Sequence, residues 1–151
     1  AAFFIGCGRN ENPPNHPPHE DPPKNENPQS PPLPDKNDPC FGVSSSTHTV
    51  KITKYAMTAD PELRKKAYNP REITIARCDA VVWLNEDNRA QYHTATADDS
   101  KAQLWFNTGG IAAGIPSRPT KSRAIQFKES GGFTYHCQPH PWMRGKIIVA
   151  P

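Results

Sequence analysis

Proline divides this chain. Eleven of its 18 prolines fall in residues 1–40, and within residues 8–39 the only large aliphatic side chain is Leu33. A segment so poor in apolar groups cannot bury enough surface to offset the entropy of ordering it, so no core is expected there. Its repeated Pro-Pro pairs favour extended polyproline II, a semi-rigid spacer that reaches on the order of 100 Å at about 3.1 Å per residue. Residues 8–40 therefore read as a tether, and folding is left to residues 41–151. That stretch is long enough for one domain and too short for two. His16 and His19 form a H-x-x-H pair inside the tether. With no Cys beside them and no further His, they read as solvated linker side chains rather than a metal site.

Charge separates along the same boundary. Residues 1–40 hold three Lys/Arg against six Asp/Glu, a balance of −3, which leaves +6 for the remainder of a chain whose formal charge is +3. The basic residues form no cluster of the kind a nucleic-acid binder needs, so no nucleic acid is expected as a partner. No run of 18 apolar residues exists to span a bilayer as a helix. Residues 1–7, AAFFIGC, are apolar and end in Gly6-Cys7. They resemble the tail of a secretory signal followed by a lipoprotein-type box, with Phe4 where Leu is usual. A lipid anchor at Cys7 is one expectation; a plain apolar segment with a spare Cys is the other.

From Phe41 onward, short alternating stretches follow one another. Residues 49–55 place Val50 and Ile52 on one face and Lys51 and Thr53 on the other, a half-buried strand. Residues 71–76 repeat the pattern through Ile73 and Ile75, residues 123–128 through Ile125 and Phe127, and residues 133–137 end it on Cys137. Residues 80–84, AVVWL, read as an interior strand, and residues 146–149 as a closing one. Asp60-Pro61 opens the one good helix candidate, with Asp as N-cap and Pro at the first helical position, and Asn69-Pro70 ends it. The fold class expected is all-β, a small antiparallel sandwich.

The chemistry concentrates near the C-terminus. The run CQPHPWM puts the Cys137 thiol, the His140 imidazole and the Met143 thioether within seven residues, where a strand ends in a loop stiffened by Pro139 and Pro141. Far upstream, His93 follows the strand of residues 80–84 and its turn. Two imidazoles, a thiolate and a weak axial thioether suit copper cycling between Cu(I) and Cu(II). A zinc site wants a second Cys or His pair. Cys78, the only spare thiol of the sandwich, sits in a turn expected at its far end.

The block GGFTYHCQPHPWMRGKIIV resembles the small type 1 blue copper proteins, the cupredoxins, in their plastocyanin and amicyanin branch. The upstream run VVWLNED followed by YHTATADD resembles that family's first-ligand region, and the likeness extends over residues 48–150. It implies a Greek-key sandwich of eight strands and one copper ion. Carried over residue by residue, it implies His93, Cys137 and His140 as strong ligands and Met143 as the axial one. Two positions depart from common patterns of the family. Thr94 stands where many members carry an Asn that bonds across to the Cys loop, and Gln138 stands where others carry Ser or Thr. Either alters the hydrogen bonding expected around the Cys137 sulfur.

The function expected is one-electron transfer between redox proteins outside the cytoplasm, at the periplasm or cell surface, by a monomer tethered through residues 7–40. Donor and acceptor are expected to dock near His140 and Trp142, with residues 111–116 as a second apolar loop and Arg144 among the charges steering an acidic partner. A charged residue at Trp142 or Ile115 is expected to slow that exchange and leave the copper spectrum alone. A copper chaperone or storage protein is the alternative, although Met57 is the only other Met. A copper enzyme domain is weaker still. His136 stands where a His binds a second copper in two-domain copper enzymes, but strand alternation turns it away from Cys137 and no second domain is at hand. With Cys137 committed to metal, either Cys40 pairs with Cys78, or Cys7 pairs with Cys40 and leaves Cys78 free. Both imply an oxidising compartment.

Overall fold

The computed structural model describes residues 35–151. The lipobox-like segment of residues 1–7, Cys7, the tether up to residue 34, and His16 and His19 lie outside the described residues. Eleven strands follow in order: β1 (Thr47–Ile52), β2 (Tyr68–Asn69), β3 (Glu72–Ala76), β4 (Ala80–Asn85), β5 (Tyr92–His93), β6 (Thr96–Ala97), β7 (Ile111–Ala112), β8 (Thr120–Lys121), β9 (Ile125–Gln126), β10 (Gly131–Cys137) and β11 (His140–Ala150). One sheet runs β2-β1-β4-β8 with β9 also on β4, a second runs β3-β11-β10-β6, and β5 pairs with β7 apart from both. The eight strands implied by resemblance become eleven partly because single edges are interrupted. β8 and β9 both lie along β4, and between them Ser122 keeps the edge closed, its Oγ accepting from Trp83 N at 3.0 Å and its N–H donating to Trp83 O at 2.9 Å.

The sandwich is not purely antiparallel. β1 lies parallel to β4, and β3 parallel to β11. A parallel pair needs a long crossover, and the chain between β1 and β4 supplies one. That crossover also corrects two sequence expectations. The strand expected to reach residue 55 stops at Ile52, because the Thr53 hydroxyl accepts from Tyr55 N at 3.2 Å and caps a 3-10 turn over Lys54–Met57. The helix opens as expected on Asp60, which accepts from the backbone of Glu62 and Leu63, but ends after one turn at Arg64 (α1, Pro61–Arg64). Tyr68 and Asn69 are drawn into the sheet as β2, opposite Ile52 and Lys51, and the Tyr68 ring is buried. Burying that ring in the core overrides local helix propensity.

Inward positions follow the expected alternation. Val50, Ile52, Ile75, Val81, Trp83, Ile125, Phe127, Tyr135 and Ile147 are all buried. At the centre Trp83 meets Tyr135 edge to face at 5.5 Å and donates its Nε1–H to the Tyr135 hydroxyl at 3.3 Å, while Phe106 meets Phe127 at 5.1 Å. Ile111, expected in an exposed loop, is buried at 1%; within that stretch Ile115 is the exposed side chain, at 39%.

One pole of the sandwich anchors the incoming chain. Cys40 is bonded to Cys78 with the two Cα atoms 5.5 Å apart, which excludes a Cys7–Cys40 bond. Beside it the buried Asp79 carboxylate accepts from Ser46 N at 2.7 Å and Ala76 N at 3.1 Å and meets His48 Nε2 at 2.7 Å. The Ser46 N–H first, and then His48, hold this carboxyl below the ordinary value of 3.8. β4 leaves this pole at Ala80 and reaches the opposite one at Asn85. The disulfide closes a loop of 38 residues, and the chain-entropy model gives such a loop about 4 kcal/mol. The paired replacement Cys40→Ser/Cys78→Ser is therefore expected to lower unfolding free energy by about 3–4 kcal/mol in denaturant melts, with metal binding at the opposite pole intact. A loss below about 1 kcal/mol contradicts that account.

Candidate metal centre

Three strands converge on the pole away from the disulfide. β4 ends on Asn85, whose buried amide donates to Ile111 O at 3.1 Å and Ala112 O at 2.9 Å, while its Oδ1 accepts from Asp87 N at 3.0 Å. These bonds fix the loop of residues 86–91 against β7, and β7 pairs with β5 so that His93 stands opposite Ile111. β6 pairs with β10, Thr96 opposite His136. Continuing that register carries Thr94 past Cys137, where the Thr94 N–H donates to Cys137 Sγ at 3.2 Å and the Thr94 hydroxyl accepts from Gln138 N at 2.9 Å. The cross-loop bond that an Asn makes in many cupredoxins is thus made here by Thr94.

Cys137, at the end of β10, and His140, at the start of β11, are brought to His93 across 44 and 47 residues of sequence. Cys137 Sγ is 3.7 Å from His93 Nδ1 and 3.5 Å from His140 Nδ1, and the two Nδ1 atoms are 3.1 Å apart. The point equidistant from these three corners lies about 2.0 Å from each, the length of a metal–imidazole bond. The donors thus fit one ion. His93 and Cys137 are fully buried, and Met143, also fully buried, belongs to the same core cluster as Cys137. Among the described residues this is the one group of three His, Cys, Asp or Glu side chains with metal-holding spacing.

Burial sets the protonation of these donors. It pushes the Cys137 thiol up, partly offset by the Thr94 N–H, and pulls both His93 and His140 down, for His93 against the opposing bond to Asp87. Both shifts favour the neutral imidazole, the form whose lone pair can bind a metal.

Several partners of the site were given no role in the sequence. Asp87, 1% exposed, accepts through Oδ2 from His93 Nε2 at 3.2 Å and through Oδ1 from Arg89 Nε at 2.8 Å. It ends the run VVWLNED that resembles the first-ligand region, but nothing in that run marks it as the partner of His93. The buried Tyr68 hydroxyl donates to Thr94 O. His136 turns away from the site as expected, its Nδ1 2.6 Å from Asp98 Oδ1. No second metal cluster includes it among the described residues.

Residues 54–150 match the family of copper binding proteins described as plastocyanin/azurin. The chain belongs to that family. It is a cupredoxin, and its cofactor is one copper ion. Amicyanin of Paracoccus denitrificans is 32% identical over 92 residues, covering 58% of this chain and 62% of amicyanin. Amicyanin-alpha of Methylorubrum extorquens is 26% identical over 98 residues, 62% of this chain and 73% of its own. This cupredoxin spans about three-fifths of the length of the Paracoccus amicyanins it matches. The fold is shared with a purple cupredoxin from Nitrosopumilus maritimus, at a TM-score of 0.51 and 23% identity over 68% of this chain and 98% of that one.

Asp87 is the partner that orients His93. Outer-shell carboxylates of this kind typically set metal affinity by about 10–100-fold. Asp87→Ala is expected to weaken copper binding by about that factor in chelator competition, and Asp87→Asn, which keeps an acceptor, by less. A change under about 3-fold for the Ala variant contradicts the assignment.

Proposed function

We propose that this cupredoxin is a one-electron carrier outside the cytoplasm, holding a type 1 copper with His93, Cys137 and His140 as strong ligands and Met143 as the weak axial one. The observation that carries the reading is the triangle of Sγ and two Nδ1 atoms, sized for one ion and held from three strands. Bound copper supplies a one-electron couple that thiolate and thioether suit in the reduced form and imidazole in the oxidised form. The chain's own part is to keep the donors still. Thr94 ties its backbone N–H to the sulfur, Asp87 fixes His93, and burial of Cys137 and Met143 excludes water. A protein whose donors do not move between oxidation states exchanges electrons with little rearrangement. His136 lies against Asp98, 2.6 Å away, and takes no part in the triangle of donors. The test is the visible spectrum of the Cu(II)-loaded protein, where intense sulfur-to-copper charge transfer is expected and a colourless protein refutes a type 1 site.

Partners dock, on this reading, around His140, which is half-buried, with Trp142 beside it at 40% exposed, and Ile115, 39% exposed, offers a further apolar side chain. The charges suit an acidic partner. Lys54 and Lys66 lie 5.5 and 5.9 Å from the Tyr55 ring, Arg64 lies over Trp142, and none of these three cations has an acidic partner among the described residues. Arg144, by contrast, is 3.6 Å from Asp98. Lys54→Glu/Lys66→Glu is expected to slow oxidation by anionic hexacyanoferrate(III) several-fold at low salt, the gap closing near 0.5 M as charges are screened. An equal slowing with a cationic oxidant contradicts steering. Ile115→Glu is expected to slow exchange with a protein partner and leave the copper spectrum unchanged. The Cys40–Cys78 disulfide supports an oxidising compartment, and the Pro-rich N-terminal residues, with a lipid at Cys7, would tether the monomer there.

A further inference from the structure

The two imidazoles of the site are held in different ways. His93 is fully buried, and its outer nitrogen is bonded to Asp87. His140 is half-buried, and among the described residues no side chain or backbone group bonds its Nε2; its hydrogen-bonding contacts, with Cys137 and His93, are all through Nδ1. A ring that lacks an outer-shell partner must be oriented by packing. Its aromatic neighbours are the facing His93 ring, with centroids 4.8 Å apart, and on the outer side Trp142, at 5.3 Å and 56°.

Trp142 is not a free surface side chain, although 40% of it is exposed. Its Nε1–H points inward and donates to Ala56 O at 2.9 Å, across 86 residues of sequence. Ala56 is fully buried in the 3-10 turn of Lys54–Met57. The Arg64 guanidinium lies 4.9 Å over the Trp142 ring, and Arg64 Nε is fixed by donating to Thr58 O at 2.7 Å. The segment carrying these groups is itself closed: Thr53 donates to Lys66 O at 2.8 Å, and Thr53 N to Ala67 O at 2.9 Å. The crossover between β1 and β2 therefore grips one indole on two sides, through its N–H and through its π-face.

We propose that Trp142, clamped by Ala56 O and Arg64, is the positioning residue for His140, doing for this half-buried imidazole what Asp87 does for the fully buried one. The inference rests on His140 being a copper ligand, as proposed above. It gives the crossover segment a role in the metal centre, and it changes the expected result at Trp142: substitution there alters the copper spectrum as well as partner exchange.

The experiment uses the full chain with Trp142→Phe, which keeps a ring and loses the N–H, Trp142→Ala, and Arg64→Gln. Three readouts are taken: the His140 ring proton lines by NMR in the metal-free protein, the Cu(II) charge-transfer and EPR spectra, and the rate of copper loss to a chelator. Expected are a single sharp set of His140 lines in the parent and broadened or multiple lines in Trp142→Ala. Its spectrum is expected to shift, and copper loss to be about 10-fold faster, with Trp142→Phe and Arg64→Gln in between. In a His140→Ala background, Trp142→Ala is expected to add nothing, since a residue acting through another is not additive with its loss. Parent-like His140 lines and spectra in Trp142→Ala, or full additivity in the double variant, overturn the proposal. Should Trp142→Ala not fold, Trp142→Phe and Arg64→Gln decide alone by the same criteria. His140→Ala by itself separates the two ideas: if it leaves spectrum and copper loss unchanged, the ligand reading fails, whatever the clamp does.

Discussion

Cys137→Ser is expected to abolish the intense visible absorption of the copper-loaded protein altogether. The band arises from charge transfer between a thiolate and Cu(II), and a serine oxygen offers neither the energy nor the softness that stabilises Cu(I). Copper retention is expected to fall by more than the 10–100-fold that loss of an outer partner brings. The fold itself should survive. The Thr94 N–H that now donates to Sγ, at 3.2 Å, keeps an acceptor in the serine hydroxyl, so the change in stability of the metal-free protein stays within about 1–2 kcal/mol. Titration with Cu(II) followed optically, alongside denaturant melts of the metal-free protein, separates the two effects. A blue or purple Cys137→Ser protein ends the assignment of Cys137 as the sulfur ligand.

A loss of stability comparable with that from removing the disulfide is expected at Gly114. A Cβ there would fall on the Asn85 carbonyl oxygen and 2.7 Å from Thr120 N, both backbone atoms of the β4–β8 pair that cannot swing aside. Relief requires separating the loop from β4, at a cost of about 3 kcal/mol or more. A domain of this size should then lose on the order of 10 °C in Tm. The damage should reach the metal, because Asn85 at the same point ties β7 and the Asp87 backbone together, and through them His93. Gly114→Ala is therefore expected to shift the Cu(II) spectrum as well as Tm. Gly109 serves as the contrast. It has a φ of 67° but open space around its would-be Cβ, so Gly109→Ala carries only conformational strain, about 1–2 kcal/mol, and leaves the spectrum alone. Equal effects at the two glycines would show that backbone angle, not contact, dominates at both.

Some of this was legible in residues alone, and for a local reason. Period-two alternation reports which side of a strand meets the core, so Val50, Ile52, Ile125, Phe127 and Tyr135 could be placed inward without coordinates. The spacing Cys137, His140, Met143 belongs to one short run of sequence, from the end of β10 into β11, and is readable without the rest of the chain. The Asp60 cap is equally local, and it formed as expected. Helix length was not local. Whether the chain after Arg64 stays helical depends on a groove for Tyr68 that only the assembled sheet provides.

What the tertiary structure alone decided is everything that joins distant segments: that β1 and β4 run parallel, that Cys40 takes Cys78, that Asp87 faces His93, and that Trp142 reaches Ala56. Sequence determined which donors exist and which residues face inward, because side-chain chemistry and strand period are carried by neighbours in the chain. It could not determine which backbone oxygen or carboxylate would stand behind each donor, because those contacts follow from sheet register and loop crossing, which are settled only when the whole core packs at once.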